Sequence, residues 1–238
     1  MLDLLAERKA SGVDLGQLKR VLNENTLVYR STTVKVTALS PSSEAVTLAM
    51  KAFASQLPEP TRPQTRVAAP SPNHASVVLW VEGPSGVSLL GADLESAGSN
   101  DQGWGAVLAL GDRTPASLVK VPHHGSESGH DRRMWDRLVT VLPQAVLTPW
   151  ELAGKRLPAE EDVQRICRLA PEAAIAGRAT SRPGRFEPAV ERTLKGAAKS
   201  RYAVGDSVGH IRARCASSDN ASWRVELVCN AAALCPVA

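Results

Sequence analysis

Aromatic side chains are scarce in this 238-residue chain, which has five Trp, two Tyr and two Phe, so its core has to be built mainly from Leu, Val and Ala. Long apolar runs are missing too. No stretch approaches the roughly 18 to 20 apolar residues of a spanning helix, and the N-terminus, MLDLLAERKASG, is charged by its third residue and has no signal-peptide core. The expectation is therefore a cytoplasmic protein with no membrane partner. The four cysteines, Cys167, Cys215, Cys229 and Cys235, include no C-x-x-C pair. That spacing argues against a zinc ribbon or a redox pair and leads us to expect reduced thiols in or near the core. There is no P-loop, no G-x-G-x-x-G fingerprint and no internal repeat, which removes the common nucleotide-binding and solenoid classes. Histidine is absent from the first 73 positions.

What is present divides the chain into three. Residues 1–57 carry Leu2, Leu5, Val13, Leu15, Leu18, Val21 and Leu22 among charges, a spacing for one or two amphipathic helices. They are followed by an alternating strand, TTVKVTAL, and a helix through EAVTLAMKAFASQL, capped by Ser43, with Val46, Met50, Phe53 and Leu57 at helical spacing. Residues 58–72, with five prolines, read as a linker or surface loop. Residues 73–238 then alternate. ASVVLWVEG and GVSLLGAD are expected to form a hairpin across GPSG, followed by a short helix near Trp104 to Leu110 and a strand, SLVKVP. A helix over DRRMWDRLVTVL, a strand AVLTPW, a helix AEEDVQRICRLA and a strand AAIAG follow, and SVGHIRARC and SWRVELVC close the chain as an antiparallel pair. The class is α/β.

The net charge of +4 is concentrated in residues 178–201, which hold seven Lys/Arg against two Glu. Such a stretch either tracks the phosphates of a nucleic acid or serves as a solvated connector.

Three polar clusters fall at strand ends: His74 in PNHASVVL, Asp93 in LLGADLES, and His123 with His124 in KVPHHGSESGH. Rigid strands fix where loop side chains point, and a carboxylate with imidazoles suits Zn or Mn and the activation of a bound water. Each also has a plainer reading. Asp93 could cap a turn, and His74 could be an ordinary hydrogen-bonded surface residue. His130 reads as a surface residue. A serine hydrolase using Ser126 or Ser128 is a further class, but GSESG centres Glu127 rather than Ser, so the G-x-S-x-G elbow is absent.

The string SVVLWVEGPSGVSLLGADLES, followed some thirty residues on by LVKVPHHGS, resembles the C-terminal half of the metallo-β-lactamase fold, in particular the hydrolase domain of ComEC-type DNA-uptake proteins. The resemblance runs from about Asn73 to Pro149. It implies half of an αββα sandwich, with one or two divalent ions, Zn or Mn. Asp93 would be the bridging carboxylate, His123 the ligand of the last motif, His124 a neighbour that supports a ligand or faces the substrate phosphate in catalysis, and His74, nineteen residues before Asp93, a third ligand. The family's H-x-H-x-D-H motif has no counterpart in this chain. The implied function is a metal-dependent hydrolase, phosphodiesterase- or nuclease-like, completed by another segment or a protein partner. The alternative is a non-catalytic subunit or nucleic-acid-binding scaffold that keeps the fold.

Overall fold

The structure, a computed structural model, describes residues 23–56, 73–152, 154–177, 187–197, 209–215 and 222–236. The expected N-terminal helices, the proline-rich stretch and most of the basic stretch lie outside these residues.

The β-branched and Leu-rich runs become an eight-stranded mixed sheet. Strands β1 (Thr26–Arg30), β2 (Lys35–Ala38), β3 (Leu79–Gly83) and β4 (Gly86–Leu90) are antiparallel neighbours, and β3 and β4 form the expected hairpin. Strands β5 (Ala116–Lys120) and β6 (Val139–Leu147) continue parallel from β4. A short antiparallel pair, β7 (Trp150–Leu152) with β8 (Lys155–Leu157), stands outside the sheet. Strand β9 (Ala174–Ile175) then adds to β6 in parallel, and β12 (Ala232–Ala233) closes the far edge antiparallel to β9. The chain is thus mixed α/β. β2 pairs directly with β3, so one sheet runs across the 58–72 boundary.

Register lines up Thr37, Trp80, Leu89, Val119 and Ala145 on one face, each at most 3% exposed. Helices α2 (Gly103–Ala109), α3 (Arg132–Leu138) and α4 (Glu160–Leu169) join that face in one core through Trp104, Val107, Met134, Trp135, Leu138 and Ile166. Each such aliphatic side chain contributes roughly 1.5–3 kcal/mol by leaving water. The neighbouring register row, Leu79, Leu90, Lys120 and Val146, points to the opposite face and is only half-buried.

Several local expectations are corrected. The helix expected over residues 131–142 ends at Leu138, because Val139, Thr140 and Val141 are β-branched and Val139 pairs with Ala116 at the start of β6. Strand β1 had no expectation attached to it. Helix α1 (Ser43–Ala54) is capped by Ser42, whose Oγ accepts from Ala45 N, while Ser43 N donates to Glu24. Its Met50 and Phe53 are exposed rather than packed. Cys167 and Cys235 are joined in a disulfide 68 positions apart, whereas Cys215 and Cys229 are free. The β9–β12 pairing brings the C-terminal residues beside α4, a proximity that cysteine spacing does not reveal. Among the described residues no helix is long and apolar enough to cross a membrane.

A candidate metal-binding rim

The parallel strands β4 and β5 end side by side, and the loops that follow them carry the polar clusters. Gly91 N donates to Lys120 O at 3.0 Å, and a Cβ on Gly91 would lie 2.9 Å from both that oxygen and Pro122 Cβ. Only glycine lets the two strand ends approach this closely. Pro122 then opens a 3-10 turn, Pro122–Gly125, in which His123 (φ 45°) and His124 (φ 55°) are both left-handed, followed by Gly125 at φ 83°. A left-handed non-glycine residue costs on the order of 1 kcal/mol or more, and two in a row persist only where their surroundings hold them. The restraints are short: His123 N donates to Ala92 O at 3.0 Å, and Ser126 N to His123 O at 3.0 Å.

The two rings are fixed in the same way, by a hydrogen bond at Nδ1. His123 Nδ1 lies 2.9 Å from Glu95 Oε1, with Ser126 Oγ at 2.9 Å and Ser128 Oγ at 3.1 Å around it. Ser128 Oγ donates to the same Glu95 oxygen at 2.8 Å. A carboxylate at Nδ1 places the proton there and leaves Nε2 as an acceptor, which meets Asn73 Nδ2 at 3.3 Å. His124 Nδ1 lies 3.0 Å from the Thr148 carbonyl and 3.2 Å from Thr148 Oγ1, and its ring lies against Trp150 with centroids 6.5 Å apart. Its Nε2 faces Asp93 Oδ1, 3.7 Å away. With the proton on Nδ1, Nε2 and Asp93 face one another as two acceptors and a cation between them is favourable; with Thr148 Oγ1 donating to Nδ1 instead, Nε2 donates to Asp93.

Asp93 is also approached by Lys120 Nζ, at 3.9 Å, which donates to Ala92 O at 2.8 Å. Burial pushes the Lys120 ammonium below its usual range, and the Asp93 charge partly offsets this.

The predicted residues are thus sorted by geometry. Asp93 and His124 are brought together, and His123 stands beside them, its ring centroid 6.3 Å from that of His124, in a network with Glu95, Asn73 and the two serines. His74 lies in the 3-10 turn Asn73–Ala75. Its Nδ1 is buried without a hydrogen-bond partner, and no hydrogen bond or ion pair links it to Asp93, His123 or His124 among the described residues. In donor type the rim fits a divalent ion, but in number it falls short: no group of three or more His, Cys, Asp or Glu side chains poised for a metal forms among the described residues. A Ser–His–acid relay is not built either, because Glu95, Ser126 and Ser128 all crowd the same nitrogen, whereas a relay needs acid and serine on opposite ones.

Glu95, Lys120 and Thr148 were not singled out from sequence. Glu95 had a signal in its place two residues after Asp93, and the other two had only their positions at strand ends. His130 is half-buried rather than a surface residue. It lines a cavity of about 10 Å³ with Gly125, Ser126, Arg165 and Trp135, and burial, reinforced by the Arg165 cation, lowers its pKa. Compared with models of known protein families, with curated proteins and with solved structures, the chain returned no match.

Proposed function

We propose that this chain is part of a metal-dependent hydrolase of the metallo-β-lactamase type, and that its rim supplies some but not all of the ligands for a Zn or Mn ion. One observation carries the reading: the Asp93 carboxylate and Nε2 of His124 face one another at 3.7 Å, with the ring fixed from behind by Thr148. That separation suits two donors to one ion, and the backing hydrogen bond is the support that ligating histidines usually have. His123, backed in turn by Glu95, holds a second Nε2, which a ligand would have to take over from Asn73. In this reading His124 is a ligand, and His123 either a ligand to a neighbouring ion or a substrate-facing group.

A divalent ion held here would supply a bound water of lowered pKa and a Lewis acid for a phosphodiester. The chain's own residues orient the two histidine rings and set the Lys120 ammonium beside Asp93, whose side chain is 46% exposed. The missing ligands would come from another segment or a partner subunit. The half-buried face bearing Leu79, Leu90 and Val146 is where the other half of an αββα sandwich would pack. The Cys167–Cys235 disulfide favours an oxidising compartment over the cytoplasmic location expected from sequence.

Calorimetric titration of the chain with Zn tests the proposal. Binding should disappear in Asp93→Ala and His124→Ala and persist in His74→Ala. Equal binding by all four proteins would refute it.

A further inference from the structure

Apart from the large sheet, strands β10 (Gly209–Cys215) and β11 (Trp223–Cys229) pair as a two-stranded ribbon. Alternation gives it two sides. One side faces the sheet: Trp223 Nε1 donates to Ser117 Oγ at 3.0 Å, and Cys215 Sγ donates to Ser85 O at 3.1 Å. The other carries His210, Arg212 and Arg214 on β10 and Arg224, Glu226 and Val228 on β11.

On that outer side three guanidinium groups share one carboxylate. Arg212 and Arg214 reach Glu226 at 3.2 and 2.9 Å, and Arg224 lies 3.8 Å from it. The three arginine side chains are 45%, 59% and 81% exposed. Together with Glu226 they leave a charge of +2 on a small patch. Arg214 stands directly opposite Arg224 in the ladder, and like charges so placed destabilise a sheet pair. Glu226 offsets one of the three charges, and the remaining +2 is what an anionic partner would neutralise.

The chemistry of the patch narrows the partner. Guanidinium forks match phosphate oxygens two at a time, and an exposed cluster of them follows a phosphate backbone. Among the described residues the outer side carries no Trp, Tyr or Phe on which unpaired bases could stack, so a single strand is disfavoured. A two-stranded ribbon fits the major groove of B-form DNA, about 12 Å wide, while the major groove of duplex RNA is too narrow to admit it. The sequence leading into β10 adds seven Lys/Arg against two Glu in residues 178–201.

We infer that the outer face of the β10–β11 ribbon is a docking surface for the phosphate backbone of duplex DNA, with Glu226 as an internal counter-charge that the phosphates displace. The inference does not rest on the metal reading of the rim.

The experiment is fluorescence anisotropy of the full chain with a short labelled DNA duplex, repeated between about 50 and 200 mM salt. The variant R212A/R214A/R224A should flatten the slope of log K against log salt by roughly 2 to 3, at about 0.9 for each phosphate no longer neutralised. R224A alone, which removes the most exposed of the three side chains, should flatten it by about 0.9. Glu226→Gln should bind several-fold more tightly, because it removes the competing charge. A merely structural cluster would give the opposite sign, since Glu226→Gln would loosen the ribbon. The inference is overturned if the triple variant keeps the wild-type affinity and slope, or if Glu226→Gln binds no more tightly. It also fails if single-stranded DNA, duplex RNA or anionic phospholipid vesicles bind more strongly than the duplex.

Discussion

Removing the Cys167–Cys235 cross-link should cost this protein a large share of its stability. The disulfide closes a loop of 68 residues that contains β9, α5 (Pro188–Ala197), β10 and β11. Among the described residues, the C-terminal strand is otherwise tied to the sheet by two residue pairs between β12 and β9, one further hydrogen bond from Leu234 N to Ala173 O at 2.7 Å, and the packing of Ala232 and Leu234 on the core. Loop-closure entropy for a ring of this size gives about 4 kcal/mol at 25 °C, against a typical total of roughly 5–15 kcal/mol. For a chain of this length that corresponds to a fall in Tm of roughly 8–16 °C. The assay is urea unfolding of wild type and of Cys167→Ser/Cys235→Ser, with a thiol titration of the denatured, unreduced chain. Two of the four cysteines should react. Four reactive thiols, or a stability loss below about 1 kcal/mol, would refute the reasoning.

Three further outcomes concern the packing around the rim. Gly125→Ala should destabilise by about 1–3 kcal/mol and weaken any metal response, because the position has φ +83° and the new Cβ would lie 2.7 Å from Ile166 Cδ1; chemical denaturation reads the first effect and Zn titration the second. Trp104→Phe should cost about 1–3 kcal/mol in the same denaturation assay, since the fully buried indole N–H is shared between Leu94 O at 3.2 Å and Gly129 O at 3.0 Å. Those two carbonyls belong to the loops that carry Asp93 and His123, so near-neutral behaviour would mean the loops are held some other way. His130 supplies a pH dependence. Burial, aided by Arg165, lowers its pKa, so as pH falls below about 6.5 the unfolded chain takes up a proton that the folded chain refuses. Stability is therefore lost on acidification until the lowered folded-state pKa is reached. Measured from pH 7.5 downward, His130→Gln should lose less stability than wild type, and parallel profiles would count against the burial argument.

How much of this was legible beforehand varied with the reach of the interaction. Strands such as LWVEG and GVSLL announced themselves by composition and by the turn between them, and the β10–β11 pair by two β-rich runs across a polar turn. Local patterns also placed the histidines at a strand end. Propensity misled where a run could be read two ways: VTVL has helical neighbours on one side, but its pairing partner Ala116 lies 23 positions away. Helix α1 shows the converse failure. Its apolar spacing is helical as expected, yet Met50 and Phe53 remain exposed, so periodicity identified the element without identifying what it packs on.

The site was legible in residue type and only partly in role. That Asp93 and the two histidines share one rim follows from the order of strands β4 and β5. Which histidine turns its Nε2 to Asp93 is decided by Thr148 and Glu95, 24 residues after His124 and 28 before His123, and no local pattern encodes those pairings. The disulfide was hidden for the same reason, since its two halves meet only after the far edge of the sheet is assembled.

The central claim is that Asp93 and His124 form part of a metal-binding rim. Long-range ¹H–¹⁵N spectra of the histidine side chains, recorded while Zn is added, test it most directly. The account predicts that His124 starts with its proton on Nδ1, that its Nε2 resonance shifts with Zn, and that the shift is abolished in Asp93→Ala. A His124 ring that starts protonated on Nε2, or that fails to respond while His74 or His210 does, would contradict it.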